Sequence, residues 1–377
     1  MAHLTARSGY ASLVERLTRA PQGAPPSELL HAILKMLFSE TEAGLVALLP
    51  IKPFTVEKAA TIWKLSRTEA GKILEQLASR AILVDLEDRH GEIHFVLPPP
   101  MAGFFEFSMM RVRGDLDQKV LSELFHQYIT VVEDFIKELF TQGQTQLGRT
   151  FVQESMLPAD NTLEVLDYER ASEVIETATH RGVSMCYCRH KAEHLGRACE
   201  ATMNISMTFN KTGAALIRHG FARDMDVVEG RDLLQKAQEE NLVQFGENIQ
   251  RRVNFICTCC GCCCVALNAQ RRFGLLNPIH TTNYLPEVDR EACNGCTKCV
   301  QACPVEAIGM VSANDPQYPK LRKAKLDEEM CLGCGVCVRN CSRGAIRLTP
   351  REERVLTPVN SVHRNVLMAV ERGKLQN

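Results

Sequence analysis

The sequence predicts an α+β chain made of successive units, helix-rich toward its N-terminal end and cysteine-rich over its C-terminal half. Three observations carry this. Apolar residues recur at helical spacing through the first 140 residues, interrupted by one hairpin pattern. None of the 17 cysteines lies before residue 186 or after 341, so the thiol chemistry is confined to one stretch. The last eight cysteines fall into two runs of identical spacing, C-x2-C-x2-C-x3-C, so this part of the chain is duplicated.

After an N-terminal segment over 1–27, residues 28–39 place apolar side chains on one helical face, and 55–63 read as a second helix. Ser66 and Glu69 form a capping box ahead of a third, whose Ala70, Ile73, Leu74 and Leu77 recur at i, i+3, i+4, i+7 before it ends near Arg80. Two apolar runs, 82–86 and 93–97, flank the turn Asp88-Arg89-His90-Gly91. Over 28–100 this order resembles a winged-helix domain, which implies a module that contacts DNA or protein. Arg67, Lys72 and Arg80 are offset by Glu69 and Glu75 on the helix and by Asp85, Glu87 and Asp88 on the hairpin. Affinity for DNA rests on neutralising phosphates, so protein docking is expected and DNA binding is not. Pro98-Pro99-Pro100 closes the unit. A helical linker follows over 101–160, with one long amphipathic helix at 115–140 and a loop at 141–162. A cysteine-rich unit over 161–284 carries expected helices at 169–179 and across 213–243, with a turn near Gly220.

The duplicated runs are Cys293, Cys296, Cys299, Cys303 and Cys331, Cys334, Cys337, Cys341. This is the ligand pattern of two [4Fe–4S] clusters: three thiolates turn inward from a tight loop, and the fourth, at the start of the next helix, serves the other cluster. Cys293, Cys296, Cys299 and Cys341 are therefore assigned to one cubane, and Cys331, Cys334, Cys337 and Cys303 to its twin. Structural zinc favours separated C-x2-C knuckles over unbroken four-cysteine runs. The flanks repeat too, with Asp289 matching Asp327, Gly295 matching Gly333 and Ala307-Ile308 matching Ala345-Ile346. Residues 285–350 thus resemble bacterial-type dicluster ferredoxins. The resemblance implies a ferredoxin-like fold and low-potential one-electron transfer. Pro304 follows the first run, whereas Ser342 replaces proline after the second, a change that touches a helix start and not a ligand.

Nine further cysteines lie outside the repeat: Cys186, Cys188 and Cys199, then Cys257, Cys259, Cys260, Cys262, Cys263 and Cys264. Six thiols in eight residues do not build an apolar core, so they point to metal. Adjacent cysteines point in different directions, so Cys262, Cys263 and Cys264 do not readily share one ion. An economical assignment is a third iron–sulfur cluster held by Cys186, Cys188, Cys199 and one thiol of the later run. Two further cubanes, or zinc with four sulfurs, are the competing accounts. His190 and His194 are expected to stay outside the metal site. Arg189 reads as a donor to cluster sulfur or as a surface ion-pair partner. Over 160–350 the chain also resembles a group of ferredoxin-like iron–sulfur proteins, mostly from anaerobes, which share C-x-C-R, a later C-x-C-C-x-C-C run and a terminal dicluster segment. That resemblance implies a further cysteine where this chain has Ser206. The gap would be filled by the later run, by the Ser206 hydroxyl, or by an open iron.

The near-zero net charge of -1 gives no bulk attraction to nucleic acid or membrane. The first residues lack a signal-peptide layout, and no apolar run approaches the roughly 20 residues of a membrane helix. A cytoplasmic protein is expected, working in anaerobic or microaerobic metabolism because exposed clusters are oxygen-sensitive. No Rossmann glycine pattern, P-loop or nucleophile motif accompanies the cysteines. The expected function is electron transfer to and from redox partner proteins. The alternatives are an enzyme that reduces a small molecule at an incompletely ligated middle cluster, and a redox-sensing winged-helix regulator.

Overall fold

Each N-terminal helix starts on a side chain that satisfies its free amides. Ser8 caps α1 (Gly9–Arg19), Ser27 caps α2 (Glu28–Leu37), Ser39 caps α3 (Glu40–Ala47) and Thr55 caps α4 (Val56–Trp63). Ser66 and Glu69 close the expected box at the head of α5 (Arg67–Ser79), with bonds of 3.0 and 3.2 Å. The computed structural model describes residues 8–157 and 166–375. Lys64, in the left-handed region at φ 57°, ends α4 and makes the turn into α5. Strands β1 (Val84–Glu87) and β2 (Ile93–Val96) pair antiparallel, and Phe54 bridges to Phe95 at their edge. Asp88 fixes the turn by accepting from the amides of His90 and Glu92 at 2.8 and 3.0 Å. Helix α1, in a segment for which no element was expected, buries Leu13, Val14 and Leu17 against α3.

The single helix expected over 115–140 is broken. After a short α6 (Phe105–Phe107), α7 (Gln118–Phe125) loosens into a π turn at His126–Val131. Glu133 then adopts φ 62° before α8 (Asp134–Phe140). The break lets Phe135 pack on Tyr128, ring centroids 5.0 Å apart, and on Phe105. The loop expected at 141–162 contributes a strand, β3 (Gly148–Thr150), and residues 158–162 lie outside those described.

A six-stranded antiparallel sheet forms the middle of the molecule, ordered β3-β7-β8-β5-β4-β6. In chain order it runs β3, α9 (Ala171–Thr177), β4 (Arg181–Met185), α10 (Tyr187–His194), β5 (Asn204–Phe209), α11 (Asn210–Arg218), β6 (Arg223–Asp224), α12 (Val227–Glu239), β7 (Val243–Glu247), β8 (Phe255–Cys259), then α13 (Val265–Phe273). The stretch 213–243, expected as helix with a turn near Gly220, is two helices with that turn between them and the short strand β6 added after it.

The C-terminal repeat folds as two interleaved halves. Its elements are β9 (Tyr284–Val288), α14 (Lys298–Ala302), β10 (Ile308–Ser312), β11 (Arg322–Leu326), α15 (Val336–Arg339) and β12 (Ile346–Pro350). Strand β9 pairs β12, and β10 pairs β11, so each sheet takes one strand from each half. Helix α16 (Ser361–Glu371) returns to the body through a buried Arg364–Glu247 ion pair of 2.9 Å. The largest apolar core runs from Leu13 to Val336 and links the N-terminal helices to the sheet and to the repeat, with smaller clusters under α9 and α12 and within the repeat. Among the described residues no helix is long and apolar enough to cross a membrane.

Candidate metal centres

The two halves of the repeat cross their fourth cysteines. Cys293, Cys296 and Cys299 line one cleft together with Cys341. Cys303 lies with Cys331, Cys334 and Cys337. Matching backbone amides point at the crossed thiols: Ala307 donates to Cys303 Sγ at 3.3 Å and Ala345 to Cys341 Sγ at 3.2 Å. Ser342 therefore leaves this bond intact. Donation to sulfur of this kind favours the more reduced state of a bound cluster. The sets differ in depth. Cys296 is exposed, and Cys293 and Cys341 are half-buried. Cys331 and Cys337 are buried, and Leu332 and Val336 beside them belong to the main core.

Glycines shape both loops. Gly295 and Gly333, equivalent in the repeat, have φ of 77° and 67°. A Cβ at Gly295 would collide with the Arg322 carbonyl, and one at Gly333 with the Tyr284 carbonyl and the Thr282 hydroxyl. Gly333→Ala should therefore lower stability by roughly 2–4 kcal/mol, from left-handed strain plus overpacking. It should also lower iron content. Gly309→Ala, where a Cβ meets nothing within 4 Å, serves as the control. Equal denaturation midpoints and iron contents in the two variants would refute this account.

The nine middle cysteines sort into two sets. The sulfurs of Cys199, Cys260, Cys262 and Cys263 all lie within 4.8 Å of one another. Cys199, expected beside Cys186 and Cys188, thus belongs to the later run. Cys264, at the head of α13, turns the other way and meets Cys188 and Cys259. Cys186, Cys188, Cys257, Cys259 and Cys264 line a cavity of about 430 Å³, and Cys260 of the first set reaches its wall as well. Ser206 lines it too, as do Glu106 and Tyr187. Arg189 is wholly buried and is not a surface residue. Its Nη1 donates to the Thr258 carbonyl at 3.0 Å, and its guanidinium lies among Cys186, Cys260 and Cys259, between the two sets. His190 bonds the Met109 carbonyl at 2.7 Å and holds His194 at 3.2 Å, and neither joins a thiol group.

Burial pushes the thiols of Cys186 and Cys331 up to about 11 and that of Cys334 up to about 12. Buried thiols of this kind stay protonated until a cation replaces the protons, as metal binding does. Burial likewise pushes the Glu106 carboxyl up to about 7.

The middle run touches the repeat directly. Gly261, between Cys260 and Cys262, leaves room for Pro304, whose carbonyl oxygen lies 2.6 Å from where a Cβ would stand. Pro304 immediately follows Cys303. Gln153 further ties the repeat to the body by donating its amide to the Cys334 carbonyl at 3.0 Å.

Residues 292–354 match the family model of the 4Fe-4S dicluster domain, so the C-terminal part of the chain is such a domain. The match contains all eight repeated cysteines. No curated protein and no solved structure matches the chain.

Proposed function

We propose that the chain is an electron-transfer protein in which a solvent-facing cluster site and an inner one lead to a middle metal centre. The observation that carries this reading is the crossed thiol arrangement within the dicluster domain. Cys293, Cys296, Cys299 and Cys341 would hold the outer [4Fe–4S] cluster, and Cys331, Cys334, Cys337 and Cys303 the inner one. The donor set fits: it is all thiol, and no three of these eight sulfurs lie within 4.8 Å of one another. In a cubane each thiolate takes its own iron, so the sulfurs stand wider apart than around one ion. When bound, such clusters supply low-potential one-electron transfer.

The rest of the chain sets access and order. Exposed Cys296 marks the face for a redox partner protein, while Cys331 and Cys337 of the inner set are buried. Gly261 against Pro304 sets the middle thiols beside the inner set. Anaerobically purified protein should contain at least eight irons with matching inorganic sulfide, since two cubanes take eight. Fewer than eight irons in protein never exposed to oxygen would refute the reading.

The N-terminal helices and hairpin read as a winged-helix module used for docking. Two of its three helix cations are engaged within the module, Arg67 by Glu57 and Arg80 by Glu42. Its hairpin is tied to the middle unit through Asp85, which bonds Arg218 and His219 of the α11 segment. These contacts favour protein packing over phosphate neutralisation.

A second reading is enzymatic. The cavity beside Cys186, Cys188, Cys257, Cys259 and Cys264 is of ligand size and mainly apolar, with Glu106 and Tyr187 as polar groups. A centre there with an open position would reduce a bound small molecule. A substrate-dependent change in the spectrum of the middle centre, abolished in Cys188→Ala, is the expected sign. Its absence across a panel of small oxidants would leave the carrier reading alone.

A further inference from the structure

The two middle thiol sets differ in gauge, and the difference decides what each can hold. We propose that Cys199, Cys260, Cys262 and Cys263 bind one tetrahedral divalent metal ion through four thiolates, as a clamp distinct from any cluster. The proposal deepens the reading above and rests on it only in taking the eight repeated cysteines as cluster ligands for comparison.

The sulfur spacing carries the argument. Cys262 and Cys263 stand 3.5 Å apart, Cys263 and Cys199 4.0 Å, and all four sulfurs lie within 4.8 Å of each other. Ligands of a single tetrahedral ion with bonds of about 2.3 Å lie roughly 3.8 Å apart. The molecule supplies its own comparison. Among the described residues no three thiols of the dicluster domain gather this closely, and no three of Cys186, Cys188, Cys257, Cys259 and Cys264 do. Four sulfurs gathered within 4.8 Å match the spacing of ligands around one ion, and neither of the other sets offers such a group.

The backbone explains how adjacent cysteines share it. After β8 the chain turns at Gly261, so Cys260, Cys262 and Cys263 face one side while Cys264 begins α13 on the other. Asn268 braces this turn, its side-chain amide donating to the carbonyls of Cys262 and Cys264 at 3.3 and 2.8 Å. Cys199 arrives from the loop after α10, 64 residues away from Cys263. An ion bridging them would fix that loop to the head of α13, closing a long segment at low added entropic cost per residue. Binding releases the thiol protons to solvent and needs no oxidant or reductant. Four thiolates on a divalent ion leave two negative charges, and the Arg189 guanidinium beside Cys260 offsets part of them. Tetrathiolate coordination suits zinc or a single iron equally, and the metal is to be read from the element found.

The test uses the full chain, purified anaerobically after growth with both iron and zinc. Element analysis with X-ray absorption at each edge should find one ion per chain beyond the iron matched by inorganic sulfide. Zinc should show four sulfurs at about 2.3 Å and no metal neighbour. Sulfide-free iron with the same shell would identify a mononuclear iron site and would equally support the proposal. Cys262→Ser, at an exposed position, should cut retention of this ion against a chelator at least tenfold and leave cluster iron and sulfide unchanged. Cys188→Ser should leave the ion in place. Nitrogen or oxygen in the shell, no extra ion in folded wild-type protein, or extra iron with matching sulfide that disappears in Cys262→Ser would each overturn the proposal. With eight cluster irons still present, such a result spares the electron-transfer reading. The ion without cluster iron would sink that reading alone.

Discussion

Cys337→Ala should strip about four irons from each chain and leave about four in the outer set, because each cubane draws on its own four thiolates. Cys337 is buried in the repeat's own apolar cluster with Ile308, Ala324 and Ile346, so its loss also opens apolar structure. The inner cluster should vanish entirely, with no partly ligated remnant. Cys296→Ala should do the reverse with little cost in stability, since Cys296 is exposed. On full reduction the wild-type protein should show paramagnetic resonance broadened by two neighbouring spins. Each variant should lose that broadening. Cys188→Ala should leave both signals as in wild type, because the repeat already contains eight thiols. Equal loss of both clusters in Cys296→Ala and Cys337→Ala, or loss of either in Cys188→Ala, would show that the two sets and the middle site are not separable in this way.

The chemistry of the C-terminal segment was legible because ligand spacing and duplication are local. A repeat of Asp, Gly, Cys and Ala-Ile at one interval fixes two equivalent halves, and the strands exchange between them as that symmetry implies. Ser66-x-x-Glu69 and the Asp88 turn were legible for the same reason, since each is closed by atoms within a few residues. The central sheet was not. Strand β7 is buried along its whole length and β5 over five of six residues, so neither alternates. In β8 the residues Cys257 and Cys259 read as ligands and masked a strand. The partition of the middle cysteines depends on which way a turn faces across 64 residues, which spacing alone does not encode. Arg189 was ambiguous for a related reason: only the sheet buries it, and only burial separates a partner of thiols from a surface cation.

Asp85→Ala should loosen the N-terminal module from the middle unit while leaving the cluster iron in place. Asp85 sits on β1, 3% exposed, and holds Arg218 and, at 3.0 Å, His219 Nε2. Removing it leaves the buried His219 imidazole without its anion and Arg218 with only the more distant Glu87, at 3.6 Å. Breaking a fully buried pair costs about 3–5 kcal/mol, but Arg218 is 37% exposed and solvent screens its share, so roughly 2–4 kcal/mol is expected here. Burial opposes ionisation of Asp85, yet His219 and Arg218 outweigh it and hold the carboxyl below its ordinary value. A depressed carboxylate contributes stability that is fully present above the unfolded value, near pH ~4, and is lost as pH falls through the folded one. Wild-type protein should therefore lose stability more steeply than Asp85→Asn below pH ~4, with their difference near constant above pH ~5. Limited proteolysis should cut near Pro98-Pro99-Pro100 faster in the variant, since that segment joins the hairpin to the body. If cutting rates, denaturation midpoints and acid dependence all matched wild type, the hairpin would not be anchored through Asp85. If they diverge as expected, the surface that a DNA-binding wing would use is committed instead to the protein's own interior, which is the strongest physical ground for reading the module as a docking element.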